Sequence, residues 1–187
     1  MTGRPRSAEA DEAIVGATLG LLCEEGFDRL SMDAVAQRAG VGKATIYRRW
    51  PSKEALVIDA VARRTDPFAG EVPGETARDR LLAVLEAMVA TARSEVGRLL
   101  PCMVGATVTN PPLARHYRER ILEPRRARIA EILRDGVEAG ELRPGVDVAT
   151  AVDQVVGPLL YRIVFGDDVP DGHCAVLVDS LLAGLAP

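Results

Sequence analysis

Five basic side chains lie between Gln37 and Lys53, and this stretch contains no aspartate or glutamate. The hydroxyl groups of Thr45 and Tyr47 lie among them. Cationic and hydroxyl side chains bind phosphate, and a DNA duplex carries one phosphate charge for about every 1.7 Å of its axis. The pattern therefore indicates a surface that binds DNA. The charges alone would suit the solvated face of an ordinary helical hairpin equally well. The five residues are Arg38, Lys43, Arg48, Arg49 and Lys53.

Two short helices joined by a tight turn are predicted to carry these side chains. Ser31 predicts the start of the first helix, because its hydroxyl can cap the backbone N–H groups there. Apolar residues then recur at three- and four-residue spacing as far as Ala39. Gly40 can adopt the left-handed conformation that ends a helix, and a second helix, about Gly42 to Arg49, stops before Pro51. This is the pattern of a helix-turn-helix, whose second helix enters the major groove.

The run from Ala36 to Leu56, AQRAGVGKATIYRRWPSKEAL, strongly resembles the DNA-binding signature of the TetR family of bacterial transcriptional regulators. The resemblance extends from about Ala8 to about Arg64, roughly the first third of the chain. Beyond it, only length and helical character match. The resemblance implies an all-helical homodimer that binds double-stranded operator DNA and dissociates when a small molecule binds the C-terminal domain. Most members of this kind are repressors, and none of this chemistry requires an enzyme or a cofactor.

The resemblance also assigns contacts with the operator. Tyr47 and Lys53 align with family residues that contact phosphates. We expect Lys43 and Arg48 to read guanine edges, since a cation can meet the O6 and N7 acceptors there. Gly42 would let the backbone come close to the DNA. The predicted DNA-binding residues are Ser31, Gly42, Lys43, Ala44, Thr45, Tyr47, Arg48 and Lys53. Arg4 and Arg6 precede them in a basic N-terminal arm that either contacts the minor groove or is a disordered tail.

Composition agrees with a helical DNA-binding protein in two domains. Apolar residues make up 48% of the chain and aromatic residues 4%. The net charge of −4 is unusual for a protein that binds DNA, but residues 1–65 hold ten basic and nine acidic side chains. A local patch, and not the total charge, determines phosphate binding. Proline and glycine between Thr65 and Gly74 predict a boundary between a helix-turn-helix domain at 1–65 and an effector-binding and dimerisation domain at 75–187.

The last two predicted helices, Val148 to Phe165 and His173 to Leu185, are apolar on nearly all sides. Such helices must be covered on both sides. The simplest second cover is another copy of the chain, which would form a four-helix bundle, and the family places its dimer interface in these helices. A core helix within the monomer is the alternative. The predicted interface residues are Val155, Val156, Leu159, Leu160, Ile163, Leu177, Val178 and Leu181.

The family resemblance implies an effector pocket among the helices between about Arg78 and Phe165. Few polar groups are interleaved there, so we expect a largely apolar ligand with one or two hydrogen-bond anchors. Each candidate could instead be an ordinary core residue. The candidates are Leu85, Met88, Leu100, Cys102, Met103, Thr107, Tyr117 and Tyr161.

Other chemistry has little support in the sequence. Cys23, Cys102 and Cys174 are far apart and odd in number, which argues against a disulfide framework or a zinc site. There is no pairing of nucleophile and base, no metal-ligand spacing, no secretory signal and no apolar run of about 20 residues. We therefore expect a cytoplasmic protein that is not an enzyme and does not enter a membrane. The alternative function is a helical small-molecule-binding or interaction protein whose hairpin does not bind DNA.

Overall fold

The computed structural model describes residues 5–66 and 71–186, and the side chains from residue 8 onward. Arg4 and the side chain of Arg6 therefore lie outside the described part. Within it the chain forms helices and no strand, which confirms the predicted all-α class. The α-helices are α1 Pro5–Arg29, α2 Met32–Ala39, α3 Lys43–Tyr47, α4 Lys53–Thr65, α5 Ala77–Arg93, α6 Leu100–Thr109, α7 Pro111–Tyr117, α8 Glu123–Glu138, α9 Val148–Phe165 and α10 His173–Leu185.

The chain divides into two compact units. The first contains the described residues up to Thr65 together with Cys102–Ile121, and the second contains the described residues of Asp66–Pro101 and Leu122–Pro187. The sequence predicted a single boundary between 65 and 75, whereas the chain returns to the first unit for most of α6 and all of α7. The physical reason is that α7 packs against α4.

In the first unit, α1 packs against α2 and α4. Ile14, Leu56 and Ile58 are fully buried between these helices. The main part of α1 ends at Gly26, where φ is 79°, and Phe27 turns back into the core with 5% exposure. This close packing gives α2 and α3 a rigid base.

The turn between α2 and α3 follows from three residues. The Ser31 hydroxyl accepts a hydrogen bond from Ala34 N at 3.1 Å and caps the start of α2. At the other end Gly40 adopts φ 65° and ψ 31°. The N–H groups of Gly40 and Val41 then donate to carbonyls of the last turn of α2, at 3.3 and 3.1 Å. This arrangement satisfies the helix end and turns the chain toward α3.

In the second unit, α5 packs against α8, α9 and α10. A capping box of Thr76 and Asp79 begins α5. The core contains Leu81, Leu85 and residues from α8, α9 and α10. Pro124 does not break α8. A π-helical turn at Arg118–Leu122 comes first, and the proline lies in the first turn of α8, where no backbone donor is needed.

The predicted dimer-interface set needs a correction. Val155, Leu159, Val178 and Leu181 are all less than 10% exposed and belong to the core of the chain itself. Val156, Ile163 and Leu177 pack partly against the same core, and Leu160 is half-buried. The sequence could not separate the two faces, because both helices are apolar nearly all round. The large apolar side chains exposed on α9 and α10 are Tyr161, Phe165 and Val176.

Within the described ranges, α9 is the one helix with the length and mean hydropathy of a membrane span, at 18 residues and 1.3. It also contains Asp153, which forms an ion pair with Arg126 of α8, and Arg162, which donates to Asp168 O at 2.9 Å. These contacts, together with its buried valines and leucine, fit a packed core helix.

Replacing Gly40 with alanine should destabilise the full-length protein by about 1–2 kcal/mol, because a Cβ is unfavourable at positive φ. Gly42→Ala is the matched control. Gly42 has φ −71°, and a Cβ there would meet no atom of the described residues within 4 Å. In the control, the lower chain entropy of alanine offsets its poorer capping of α3, so the stability should stay within about 1 kcal/mol of wild type. Urea unfolding of both variants measures the difference, and equal effects would contradict the assigned turn.

Candidate nucleic-acid interface

The short helix α3 presents most of the predicted DNA-binding residues at the surface. Ile46 is 1% exposed and anchors the helix to the core, whereas Tyr47 is 52% exposed. Gly42, Lys43, Ala44 and Arg48 are also exposed, and Thr45 is half-buried. A large aromatic side chain with its hydroxyl in solvent, next to two cations, suits contact with a polar partner.

Ser31 lies at the start of α2 and is exposed. Its oxygen accepts the capping hydrogen bond from Ala34 N. A hydroxyl also carries one donor, so the cap leaves its proton for a phosphate oxygen. The capping role and the predicted contact with DNA are therefore compatible.

Three of the five basic residues in the Gln37–Lys53 stretch form ion pairs with carboxylates of the same unit. Arg38 binds both oxygens of Glu24, each at 2.6 Å. Lys43 Nζ lies 2.6 Å from Asp33 Oδ2. Hydrogen bonding to Arg38 lowers the pKa of Glu24, and hydrogen bonding to Asp33 raises the pKa of Lys43.

Arg49 and Arg48 differ in their surroundings. Arg49 forms an ion pair with Asp11 of α1 and donates to Thr45 O at 3.1 Å, so it joins the end of α3 to α1. Arg48 is exposed and has no ion-pair partner among the described residues. Of the predicted guanine readers, Arg48 is therefore available directly, whereas Lys43 must first leave Asp33.

Lys53 has a structural role that the sequence did not reveal. Its ammonium donates to Phe27 O at 3.0 Å and to Asp28 O at 3.4 Å, and it lies 4.3 Å from the centroid of the Phe27 ring. Lys53 thus binds carbonyl groups at the end of α1. An ammonium has three donors, so these two contacts leave one N–H for a phosphate.

The sequence analysis missed a buried carboxylate at the centre of the first unit. Asp59 of α4 is 9% exposed. It accepts hydrogen bonds from Trp50 Nε1 at 3.1 Å and from Arg63 Nε at 2.9 Å. Its other oxygen accepts from Arg120 in the π-helical turn, at 2.7 Å. The available signal was an aspartate inside the apolar run from Leu56 to Val61, where a charge requires partners.

The surroundings of Asp59 act on its pKa in opposite directions. Burial raises the pKa, but hydrogen bonds from Arg120 and Trp50 and the charge of Arg63 outweigh this effect. The net result is a pKa below the usual carboxyl value of 3.8. Asp59 is therefore ionised at neutral pH and holds its three partners as a charged acceptor.

The eight predicted effector residues are divided between the two units. Leu85, Met88, Leu100 and Tyr161 lie in the second unit, and Cys102, Met103, Thr107 and Tyr117 lie in the first. Leu85, Leu100 and Met103 are buried, whereas Cys102 is exposed and Tyr161 stacks against Phe165 at the surface. Cavities of about 380 and 210 Å³ beside Arg93 and Val169 contain none of the eight. The effector site stays a prediction.

No group of three or more potential metal ligands occurs among the residues that the structure describes.

Comparison with known proteins decides the family. Residues 14–60 match the family model described as "Bacterial regulatory proteins, tetR family", and residues 73–181 match "Tetracyclin repressor-like, C-terminal domain". The chain belongs to the TetR family of bacterial transcriptional regulators. TetR family proteins bind DNA through their helix-turn-helix and are not enzymes, so this protein is a DNA-binding regulator of transcription.

Full-length relatives agree with this membership. An uncharacterized HTH-type transcriptional regulator of Bacillus subtilis, YdeS, is 34% identical over 185 residues, which cover 98% of this chain and 93% of the relative. A Mycobacteroides abscessus protein described as the DNA-binding transcriptional repressor TetR is 30% identical over 181 residues. This alignment covers 96% of this chain and 93% of that protein. The TetR family transcription regulator SCO0332, whose crystal structure is known, is 38% identical in sequence. Its structure superposes with a TM-score of 0.71, and the match covers 96% of this chain and 100% of that one.

Asp59→Asn should lower the free energy of unfolding at pH 7 by about 2 kcal/mol, because hydrogen bonds to a charged acceptor are lost. The folded-state pKa of Asp59 lies below 3.8, so its contribution is complete above that pH. It is lost as the pH falls further and the wild-type carboxylate is protonated. The difference between wild type and variant should therefore shrink below about pH 4.

Denaturant unfolding at pH 7 and pH 3 measures this effect. Asp28→Asn is the control, because the Asp28 side chain is exposed. A destabilisation by Asp59→Asn that is equally large at both pH values would contradict a charge-based role for Asp59.

Proposed function

We propose that this TetR family protein is a cytoplasmic repressor that binds operator DNA as a homodimer and is released by a small-molecule effector. The observation that carries the proposal is the outward face of α3. Ile46 fixes the helix in the core, whereas Lys43, Tyr47 and Arg48 are exposed. A helix held in this way can enter the major groove without disturbing its own packing.

Each exposed group of α3 has a distinct proposed role. Lys43 and Arg48 donate to the O6 and N7 acceptors of guanine, and Ala44 and Thr45 offer small side chains for close apolar contact with bases. Tyr47, Lys53 and the hydroxyl of Ser31 donate to phosphate oxygens. Phosphate contacts fix the register of the protein on the duplex, and base contacts select the sequence.

The conformation of Gly42 supports close contact with DNA. Its φ of −71° is open to any residue, and a Cβ there would meet no described atom within 4 Å. Glycine is an acceptable N-cap for α3, but serine or aspartate would cap the helix better. Close approach of the backbone to DNA provides a further reason for glycine.

Exposed apolar side chains on α9 and α10 support a homodimer. Tyr161 and Phe165 are 60% and 71% exposed, and their ring centroids lie 4.8 Å apart. A groove of about 560 Å³ runs between the two helices, lined in part by Pro158, Leu177 and Gly184. A second copy of α9 and α10 would cover these side chains and complete a four-helix bundle. This interface replaces the buried residues of the sequence-based set.

Gly157 gives a second argument for the same interface. It lies on the exposed side of α9, and a Cβ there would meet no described atom within 4 Å. Alanine would favour the helix by about 1 kcal/mol, so the monomer alone does not require glycine. Close packing against a partner helix would use the space that a glycine leaves.

Release by an effector follows from linkage. The two recognition helices of a dimer must match half-sites about one helical turn, or a multiple of it, apart. A ligand that prefers a different spacing weakens DNA binding, and DNA weakens binding of the ligand by the same factor. Repression is supported by the Mycobacteroides abscessus relative, which is described as a repressor. Once an operator is identified, a ligand screen for reciprocal weakening tests this part of the proposal.

Lys53→Ala should weaken binding about equally on operator and scrambled DNA and reduce the salt slope by about 1 for each protomer. The reason is the loss of one phosphate contact. Because Lys53 also binds Phe27 O, unfolding of the variant is measured in parallel with DNA binding by fluorescence anisotropy. Arg134→Ala, which removes an equal charge from α8, is the control. A loss confined to the operator would contradict the phosphate contact.

Gly157→Arg should convert the dimer into monomers while the chain stays folded. The monomer has room for a side chain at this position, but a closely packed partner does not. Gly16→Arg is the matched control, since Gly16 is also an exposed helical glycine with open space around it. Sedimentation equilibrium measures the assembly state. A Gly157→Arg variant that dimerises as tightly as the control would exclude this interface.

A further inference from the structure

One ion pair lies on the face that the helix-turn-helix is proposed to present to DNA. Lys43 is the first residue of α3, and Asp33 lies in the first turn of α2. Lys43 Nζ and Asp33 Oδ2 are 2.6 Å apart, and the two side chains are 64% and 58% exposed. The pair is therefore open to solvent and is not part of the core.

Asp33 does not need Lys43 to stabilise its own helix. A carboxylate in the first turn interacts favourably with the helix dipole whether or not a cation is near. The start of α2 is capped independently by Ser31. The contact with Lys43 thus has consequences mainly for the lysine, whose charge is held beside a carboxylate.

We propose that Asp33 is a residue that limits the affinity of this protein for DNA, because it competes with DNA for Lys43. A phosphate, or the O6 and N7 acceptors of a guanine, can bind the Lys43 ammonium only after it leaves Asp33. The free energy of opening the ion pair is the same on operator DNA and on non-specific DNA. Asp33 therefore weakens binding to both.

The strength of the pair suits this role. Exposed ion pairs are individually weak, so Asp33 restrains Lys43 without preventing its release. We expect removal of Asp33 to tighten non-specific binding about two- to fivefold at moderate salt. Each protomer would then gain about one phosphate contact, which steepens the slope of log K against log salt concentration by about 0.9.

A second ion pair in the same unit provides a matched comparison. Arg38 of α2 binds Glu24 of α1 through two hydrogen bonds of 2.6 Å. Glu24→Gln makes the same change of charge as Asp33→Asn, and it also frees a cation. Arg38 is not among the residues proposed to contact DNA, so Glu24→Gln should leave the salt slope unchanged.

The test measures binding of the full-length protein to a scrambled duplex over a salt series, for wild type, Asp33→Asn, Lys43→Ala and the double variant. The inference rests on the proposed contact of α3 with DNA. We expect Asp33→Asn to tighten binding and steepen the slope, and the same substitution in the Lys43→Ala background to leave the slope unchanged. On operator DNA the gain in affinity should be at least as large. Asp33→Ser replaces Asp33→Asn if circular dichroism shows that the latter is unfolded.

Three results would overturn the inference. In the first, wild type binds DNA but the Asp33→Asn variant has the same salt slope as wild type. The slope could steepen equally with and without Lys43, in which case Asp33 acts by repelling phosphates directly. Wild type could bind no DNA at all, which would overturn the proposed function as well.

Discussion

The carboxylate of Asp59 is the interaction on which the first unit depends. It joins Trp50, which closely follows α3, to Arg63 on α4 and to Arg120 in the π-helical turn. A buried charge that loses its partners is strongly unfavourable. One carboxylate therefore holds together the residue that follows the end of α3, the helix α4 and a segment more than 50 residues further along the chain.

Internal ion pairs govern the charge of the DNA-binding face. Arg38, Lys43 and Arg49 each have a carboxylate partner, whereas Arg48 has none within the described ranges. Under the proposed contact of α3 with DNA, binding exchanges the Asp33 carboxylate for a DNA acceptor at Lys43 and adds a new contact at Arg48. Affinity depends on which pairs open, and a count of basic residues in the sequence overestimates the number of cations that are free to bind.

Local features could be predicted from the sequence, and distant ones could not. The cap at Ser31, the turn at Gly40 and the burial of Ile46 depend on neighbouring residues and on helical spacing. The contacts of Lys53 with Phe27 and of Asp59 with Arg120 join residues that are 26 and 61 positions apart. The buried and exposed faces of α9 could not be distinguished from the sequence either, because apolar residues lie on both. Val155 is buried, whereas Phe165 is exposed.

The most direct test is selection of DNA from the sheared genome of the source organism by purified full-length protein at near-physiological salt, followed by sequencing of the bound fragments. A regulator that reads bases through α3 as a dimer should enrich fragments with a shared inverted repeat, its half-sites one helical turn or a multiple apart. Arg48→Ala should lose that enrichment. Fragments retained without any shared sequence, equally by wild type and Arg48→Ala, would contradict sequence-specific recognition by this helix.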